Sequence, residues 1–234
     1  MTKRGRRSGQ REPSPTAAVG KGMATVVLLV DGAPPPSGGP PLLRDLVHAL
    51  ARGASHTGCV VKVLGLADTP EAAAALAGAD IRELPQDQEA LEELLGADAI
   101  IVGGPSARGA MAPSVGRALE TLAALPSEGG GAAGALSGKV GSVFTCAVGA
   151  GVGGHETALS ATHTALLSCG MVVCGVRPSP QLAKLEAGTP LGVCQSPGQE
   201  QRVEACRAAE QQGQQVADIA ARLQLASVVA QLRA

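Results

Sequence analysis

The chain has no tryptophan, no tyrosine and one phenylalanine, Phe144, among its 234 residues. A site that must stack a flat ring therefore has almost no aromatic surface for it, and the ~0.5–1.5 kcal/mol that an aromatic pair adds beyond area burial is forfeited. An excess of charge of one sign is also lacking. The net charge of −1 argues against a general nucleic-acid binder and against binding to acidic membranes. No apolar run reaches the ~18 residues of a membrane-spanning helix. The first such run, Thr25–Val30, is too short for a secretory leader. The six cysteines (Cys59, Cys146, Cys169, Cys174, Cys194, Cys206) form neither a CxxC nor a Cys/His cluster at zinc spacing, so no metal site is expected. Several fall inside apolar patterns, where cysteine acts as a small hydrophobe. Reduced, buried thiols imply a reducing compartment such as the cytoplasm.

What is present is Ala, Val and Leu, within a 45% apolar composition and enough chain for one α/β domain with a substantial core. Residues 1–22 are basic and rich in turn formers. They read as a disordered tail, with an organellar transit segment as the alternative, and residues 23–234 read as the domain. Within it, apolar runs at Thr25–Val30, Cys59–Leu64, Ala99–Val102, Lys139–Thr145 and Met171–Gly175 read as strands. Between them, Leu42–Ala54, Glu71–Leu76, Gln88–Leu95, a segment marked by Val115, Leu119 and Leu122, and Glu156–Ser168 carry helical periodicity. A last helix is expected on the stripe Val203, Cys206, Val216, Ile219 and Leu223. This alternation predicts an α/β fold: a flavodoxin-like doubly wound five-stranded parallel sheet with helices on both faces. Its ligand loops would follow the strands that begin at Thr25, Ala99 and Lys139. The glycine-dense turn 145–154 (T-C-A-V-G-A-G-V-G-G) places backbone N–H groups at such an edge, just before a helix.

Four blocks in order carry a family resemblance: A-D-A-I-I-V-G-G-P-S-A-R-G-A-M (97–111), L-S-G-K-V-G-S-V-F-T (136–145), H-E-T-A-L-S-A-T-H-T-A-L-L-S-C-G-M (155–171) and A-G-T-P-L-G (187–192). From about residue 24 to about 223 the chain resembles the tryptophan-repressor-binding-protein type of NAD(P)H:quinone oxidoreductases, within the flavodoxin-like superfamily. The resemblance implies noncovalent FMN, NAD(P)H as co-substrate, a quinone as acceptor and a homo-oligomer of two or four chains. It implies FMN contacts from three loops: Ser37, Gly38 and Gly39; Pro105, Ser106, Ala107, Arg108 and Gly109; and Thr145, Cys146, Ala147, Val148, Gly149, Ala150 and Gly151.

Departures from the family pattern are specific. Prolines at 34, 35, 36, 40 and 41 remove donors around the first loop. Ala107 stands where the family has arginine, and Arg108 where it has an aromatic; Arg108 either carries the charge from the adjacent position or is an exposed loop arginine. Cys169 occupies the place of a histidine that faces the flavin, and a thiol is the poorer proton donor. His155 opens the helix beside the glycine loop and is the second catalytic candidate. His163 shares an apolar face with Leu159 and Leu166 and reads as a satisfied core histidine. Phe144 reads as core. Two functions follow: a flavoenzyme with an eroded, backbone-dominated site, or a flavodoxin-fold relative that has lost FMN and serves as a structural or interaction protein.

Overall fold

The structure, a computed structural model, describes residues 23–32, 42–66, 80–82, 87–125, 134–147, 154–178, 189–195 and 202–233. The chain runs β1 (Thr25–Asp31), α1 (Leu42–Ser55), β2 (Val60–Leu66), β3 (Asp80–Arg82), α2 (Gln88–Gly96) and β4 (Ala99–Ala107). It continues through β5 (Ala110–Met111), α3 (Pro113–Ala124), β6 (Val140–Ala147), α4 (His155–Ser168), β7 (Val172–Val173), β8 (Cys194–Gln195) and α5 (Arg202–Leu232). The sheet order is β3-β2-β1-β4-β6-β7, parallel throughout, with β5 returning antiparallel on β4 and β8 lying beside β6. Successive connections move outward from β1 on one side and from β4 on the other, so the strand order reverses between them. That reversal is the flavodoxin-like doubly wound arrangement expected from the sequence, and it opens a crevice at the strands' C-terminal ends.

Burial on both faces explains why the strands read as unbroken apolar runs. On β1, Val26, Leu28 and Val30 face one core with α1 and α5, while Val27 and Leu29 face the other with α2, α3 and α4. Leu42, Leu43, Leu46, Val47 and Leu50 on α1 are all buried, as their spacing required. So are Val115, Leu119 and Leu122 on α3. α2 is capped at both ends. The Asp87 carboxylate accepts from Ala90 N at 3.0 Å, and Lys139 Nζ donates to Leu95 O and Ala97 O at 2.7 Å each.

The sequence reading needs correction in several places. β3 pairs with β2 between the two segments read as helices, Glu71–Leu76 and Gln88–Leu95, where no strand was expected; Glu71–Leu76 lies outside the described residues, as do residues 1–22. The fifth strand is divided: β7 pairs with the start of β6 and β8 with its end. On α5 the buried face is Ala205, Ala208, Ala209, Gln212, Val216, Ala217 and Ala220, whereas Val203 is 61% exposed and Leu223 38%. Small residues face inward because α1 and α5 touch backbone to backbone. A Cβ on Gly53 would overlap Glu210 O, and one on Gly213 would overlap Leu50 O.

The divided strand is held by a buried polar network. Gln212, fully buried, accepts from Val193 N at 3.1 Å and donates to Ser142 Oγ at 2.9 Å and Val143 O at 2.8 Å. Ser142 in turn donates to Cys174 O at 2.7 Å.

Candidate functional site

Both strands that deliver the candidate site run longer than their apolar stretches. β4 continues to Ala107 and β6 to Ala147, in unbroken parallel register from Ala99↔Val140 to Ser106↔Ala147. Pro105, Ser106, Ala107, Cys146 and Ala147, expected in loops, are therefore strand residues, as is Thr145, read as both the end of a strand and the start of the glycine turn. The cause is tertiary: the β4–β6 ladder, not local propensity, draws a Gly-Gly-Pro-Ser segment into the sheet. Pro105 is tolerated because β1 pairs with β4 only as far as Gly103, so its missing N–H interrupts no bond to β1.

Side chains inside the ladder serve the fold. Thr145, fully buried, donates its hydroxyl to Gly104 O at 2.9 Å, and its N–H to Val193 O at 2.9 Å. Cys146 is buried, and burial together with the Asp31 carboxylate pushes its thiol up to about 12 despite an opposing backbone hydrogen bond. Phe144 is buried against Gly103, as the sequence suggested.

Beyond Ala107 the chain turns through Arg108 and Gly109 into β5, with Ala107 paired to Ala110 and Ser106 to Met111. Arg108 (φ 53°) and Gly109 (φ 81°) both adopt left-handed backbone, the signature of a two-residue type I′ hairpin. Arg108 is the one non-glycine residue with positive φ among the described residues. That conformation costs it roughly 1–2 kcal/mol. Its side chain is exposed at the hairpin tip.

The hairpin is locked to the start of α4. Gly154 precedes that helix at φ 88°, and a Cβ there would lie 2.8 Å from Gly109 N, so only glycine permits the contact. His155 follows as the first helical residue. Its Nδ1 lies 3.2 Å from the Ser106 hydroxyl, and Ser106 itself is 2% exposed. Desolvation lowers the His155 pKa below the ordinary histidine value, with Glu156 pulling weakly the other way. The first turn of α4 also directs main-chain N–H groups toward this edge. Ser106, Arg108, Gly109 and His155 thus meet at the C-terminal edge of the sheet.

Other candidates are placed differently. Cys169 caps the far end of α4, about 20 Å from His155 by the helix rise. It lines a separate cavity of 380 Å³ with Leu122, Ser137 and Ser168 at the opposite edge of the sheet, and burial raises its pKa. A single chain does not bring the two catalytic candidates together. Ser37, Gly38, Gly39, Val148, Gly149, Ala150 and Gly151 lie outside the described residues. His163 is a core residue, 7% exposed, but it is not satisfied: its Nε2 has no hydrogen-bond partner among the described residues.

Sequence reasoning missed Asp31. It is 4% exposed at the end of β1, accepts a hydrogen bond from Ser114 at the start of α3, and packs where a Cβ on Gly104 would sit 2.9 Å away. An acidic residue directly after an apolar strand, at the switch between strand directions, was the available signal. Among the described residues no group of His, Cys, Asp and Glu could hold a metal ion. No helix among them is long and apolar enough to cross a membrane.

Known proteins share this chain's sequence pattern and fold. The chain is 36% identical over 159 residues to the NAD(P)H dehydrogenase (quinone) of Paracoccus denitrificans (strain Pd 1222), covering 64% of this chain and 71% of the relative. It is 31% identical over 195 residues to NAD(P)H dehydrogenase (quinone) 3 of Rhizobium meliloti (strain 1021), covering 78% and 88%. Among solved structures, the flavodoxin, WrbA-like protein from Agrobacterium tumefaciens shares the fold at TM-score 0.55 and 16% identity, over 85% of this chain and 98% of that one. The family described as NADPH-dependent FMN reductase matches residues 25–178, which span the sheet from β1 to β7, the hairpin and the helix carrying His155. The chain belongs to that family.

Proposed function

We propose that the chain is an FMN-binding NAD(P)H:quinone oxidoreductase, passing two electrons from a reduced nicotinamide to a quinone. The observation that carries this reading is the convergence of Ser106, Arg108, Gly109 and His155 at the crevice beside the strand-order reversal, where open α/β sheets bind ligands. A flavin mononucleotide presents ring carbonyls and a phosphate, and so needs donors and positive potential. One hydroxyl, one imidazole, one guanidinium and the main-chain N–H groups of the hairpin and helix start supply that chemistry, so the residues present fit the group. Bound there, FMN would supply hydride acceptance and donation.

The chain's own residues bind and orient. With FMN bound, Arg108 would offer its guanidinium to negative charge or to the ring, and the Ser106 hydroxyl and His155 imidazole would offer polar contacts at the same edge. By the family resemblance, Ser37, Gly38 and Gly39 take the phosphate and Val148–Gly151 the ring. Cys169 takes part only where a second copy of the chain carries it to this edge, which suits a homo-oligomer. All six cysteines are free thiols, which favours a reducing compartment such as the cytoplasm.

One observation favours the second reading, a relative that has given up FMN. The Asp31 carboxylate ends β1, shortly before the first loop in sequence, and a carboxylate beside a phosphate disfavours its binding. Spectroscopy decides between the two. Without tryptophan or tyrosine the polypeptide barely absorbs in the near-ultraviolet, so bound flavin dominates the spectrum. Protein incubated with excess FMN and desalted should be yellow and bleach with NADPH under anaerobic conditions; a colourless product refutes the oxidoreductase reading.

A further inference from the structure

We infer that His155 passes the second proton of quinone reduction and that Ser106 is the residue that positions it for this. The inference rests on the reading of the chain as a quinone reductase. Reduction follows quinone + NAD(P)H + H⁺ → quinol + NAD(P)⁺: the nicotinamide gives up two electrons and one hydrogen nucleus, and the quinone needs one further proton. His155 Nδ1 lies 3.2 Å from the Ser106 hydroxyl, and the protonated ring supplies that proton. Its N–H bond breaks, an O–H bond forms on the quinone oxygen, and water returns a proton to the ring.

Position and elimination support this assignment. Ser106 is fixed on both sides by the ladder, to Met111 and to Ala147. His155 is fixed by the contact of Gly154 with Gly109. Hydroxyl and ring therefore sit on two elements that are clamped together, the rigidity a proton-transfer pair requires. Among the described residues the other titratable groups of this edge are unsuited. Arg108, on the hairpin packed against it, never gives up its proton. Cys146 on β6 and Cys194 on β8 are buried, with thiols pushed up to about 12. Asp31 is turned to Ser114. Glu156, next along α4, is turned out to solvent. Because desolvation lowers the His155 pKa, its charged form grows only as pH falls, so turnover that depends on it rises toward acid pH.

The test compares two acceptors on the FMN-loaded protein. A soluble benzoquinone needs electrons and protons, whereas ferricyanide needs electrons alone. His155→Ala should lower benzoquinone kcat by about 100-fold and Ser106→Ala by about tenfold, each loss at least about threefold larger than the loss of ferricyanide kcat on the same FMN-saturated preparation. Both variants should lose the acid-side rise in benzoquinone kcat, and Ser106→Thr should restore it. Equal loss with both acceptors, or an unchanged pH profile in His155→Ala, overturns the assignment while leaving the oxidoreductase reading standing. A wild-type protein that takes up no FMN overturns both.

Discussion

Gln212 is the most sensitive single point in the architecture that delivers the site, and its replacement by leucine tests how the divided fifth strand is held. The wild-type amide makes three hydrogen bonds with no solvent access. Leucine matches its volume approximately and removes all three. Val193 N–H then loses the acceptor it has in Gln212, and an unsatisfied buried donor costs about 1–3 kcal/mol. The two lost donor interactions add about 1 kcal/mol each before the gain from a more apolar side chain is deducted. The net expectation is a loss of about 2–4 kcal/mol, which at ~2–4 °C per kcal/mol for a chain of this size lowers Tm by roughly 5–15 °C. With no tryptophan to report on unfolding, far-ultraviolet circular dichroism is the assay. Gln212→Glu should be worse than leucine at neutral pH, because it buries a charge and loses both N–H donors. It should recover on acidification, when the protonated carboxyl can donate again. A Tm within 2 °C of wild type for Gln212→Leu, or no acid recovery for Gln212→Glu, would refute the claim that this network closes the sheet.

Two further outcomes follow from strain and burial. Arg108→Asn should raise stability by about 1 kcal/mol, because asparagine tolerates left-handed backbone better, yet weaken FMN binding through the lost charge; flavin titration and thermal melts on one preparation check both signs. His163, buried with no partner for Nε2 among the described residues, has its pKa lowered by desolvation, so the unfolded chain binds its proton first as pH falls. Stability should therefore be fully present above about pH 6.5, fall at up to 1.36 kcal/mol per pH unit below it, and level off below the folded-state pKa. His163→Leu should flatten that slope in urea melts between pH 7 and pH 4.5.

The order of elements was legible because each central strand is buried on both faces and must be apolar throughout. Thr25–Val30 and Lys139–Thr145 needed only small extensions, to Asp31 and to Val140–Ala147. The helix faces of α1 and α3 were legible for the same reason, since large apolar residues recur at helical spacing. On α5 the stripe held at Val216, which is buried, and at Cys206 and Ile219, which pack against the core, but its ends Val203 and Leu223 are exposed, because the helix packs on α1 through alanine and glycine rather than through bulk. β3 and β8 are too short to carry a pattern of their own; they exist because β2 and β6 offer ladder positions.

The site divides along the same line. The glycines, the absence of aromatic walls, and His155 at a helix start are fixed by residue type and spacing, because backbone freedom and side-chain chemistry are local properties. Which of those residues meet was settled by the tertiary structure. Strand pairing consumed Thr145 and Cys146, and the helix length carried Cys169 to the far edge. The β4–β6 ladder lifted Ser106 beside His155, forty-nine positions on. Contacts between residues so far apart depend on register and packing, which no local stretch of sequence encodes.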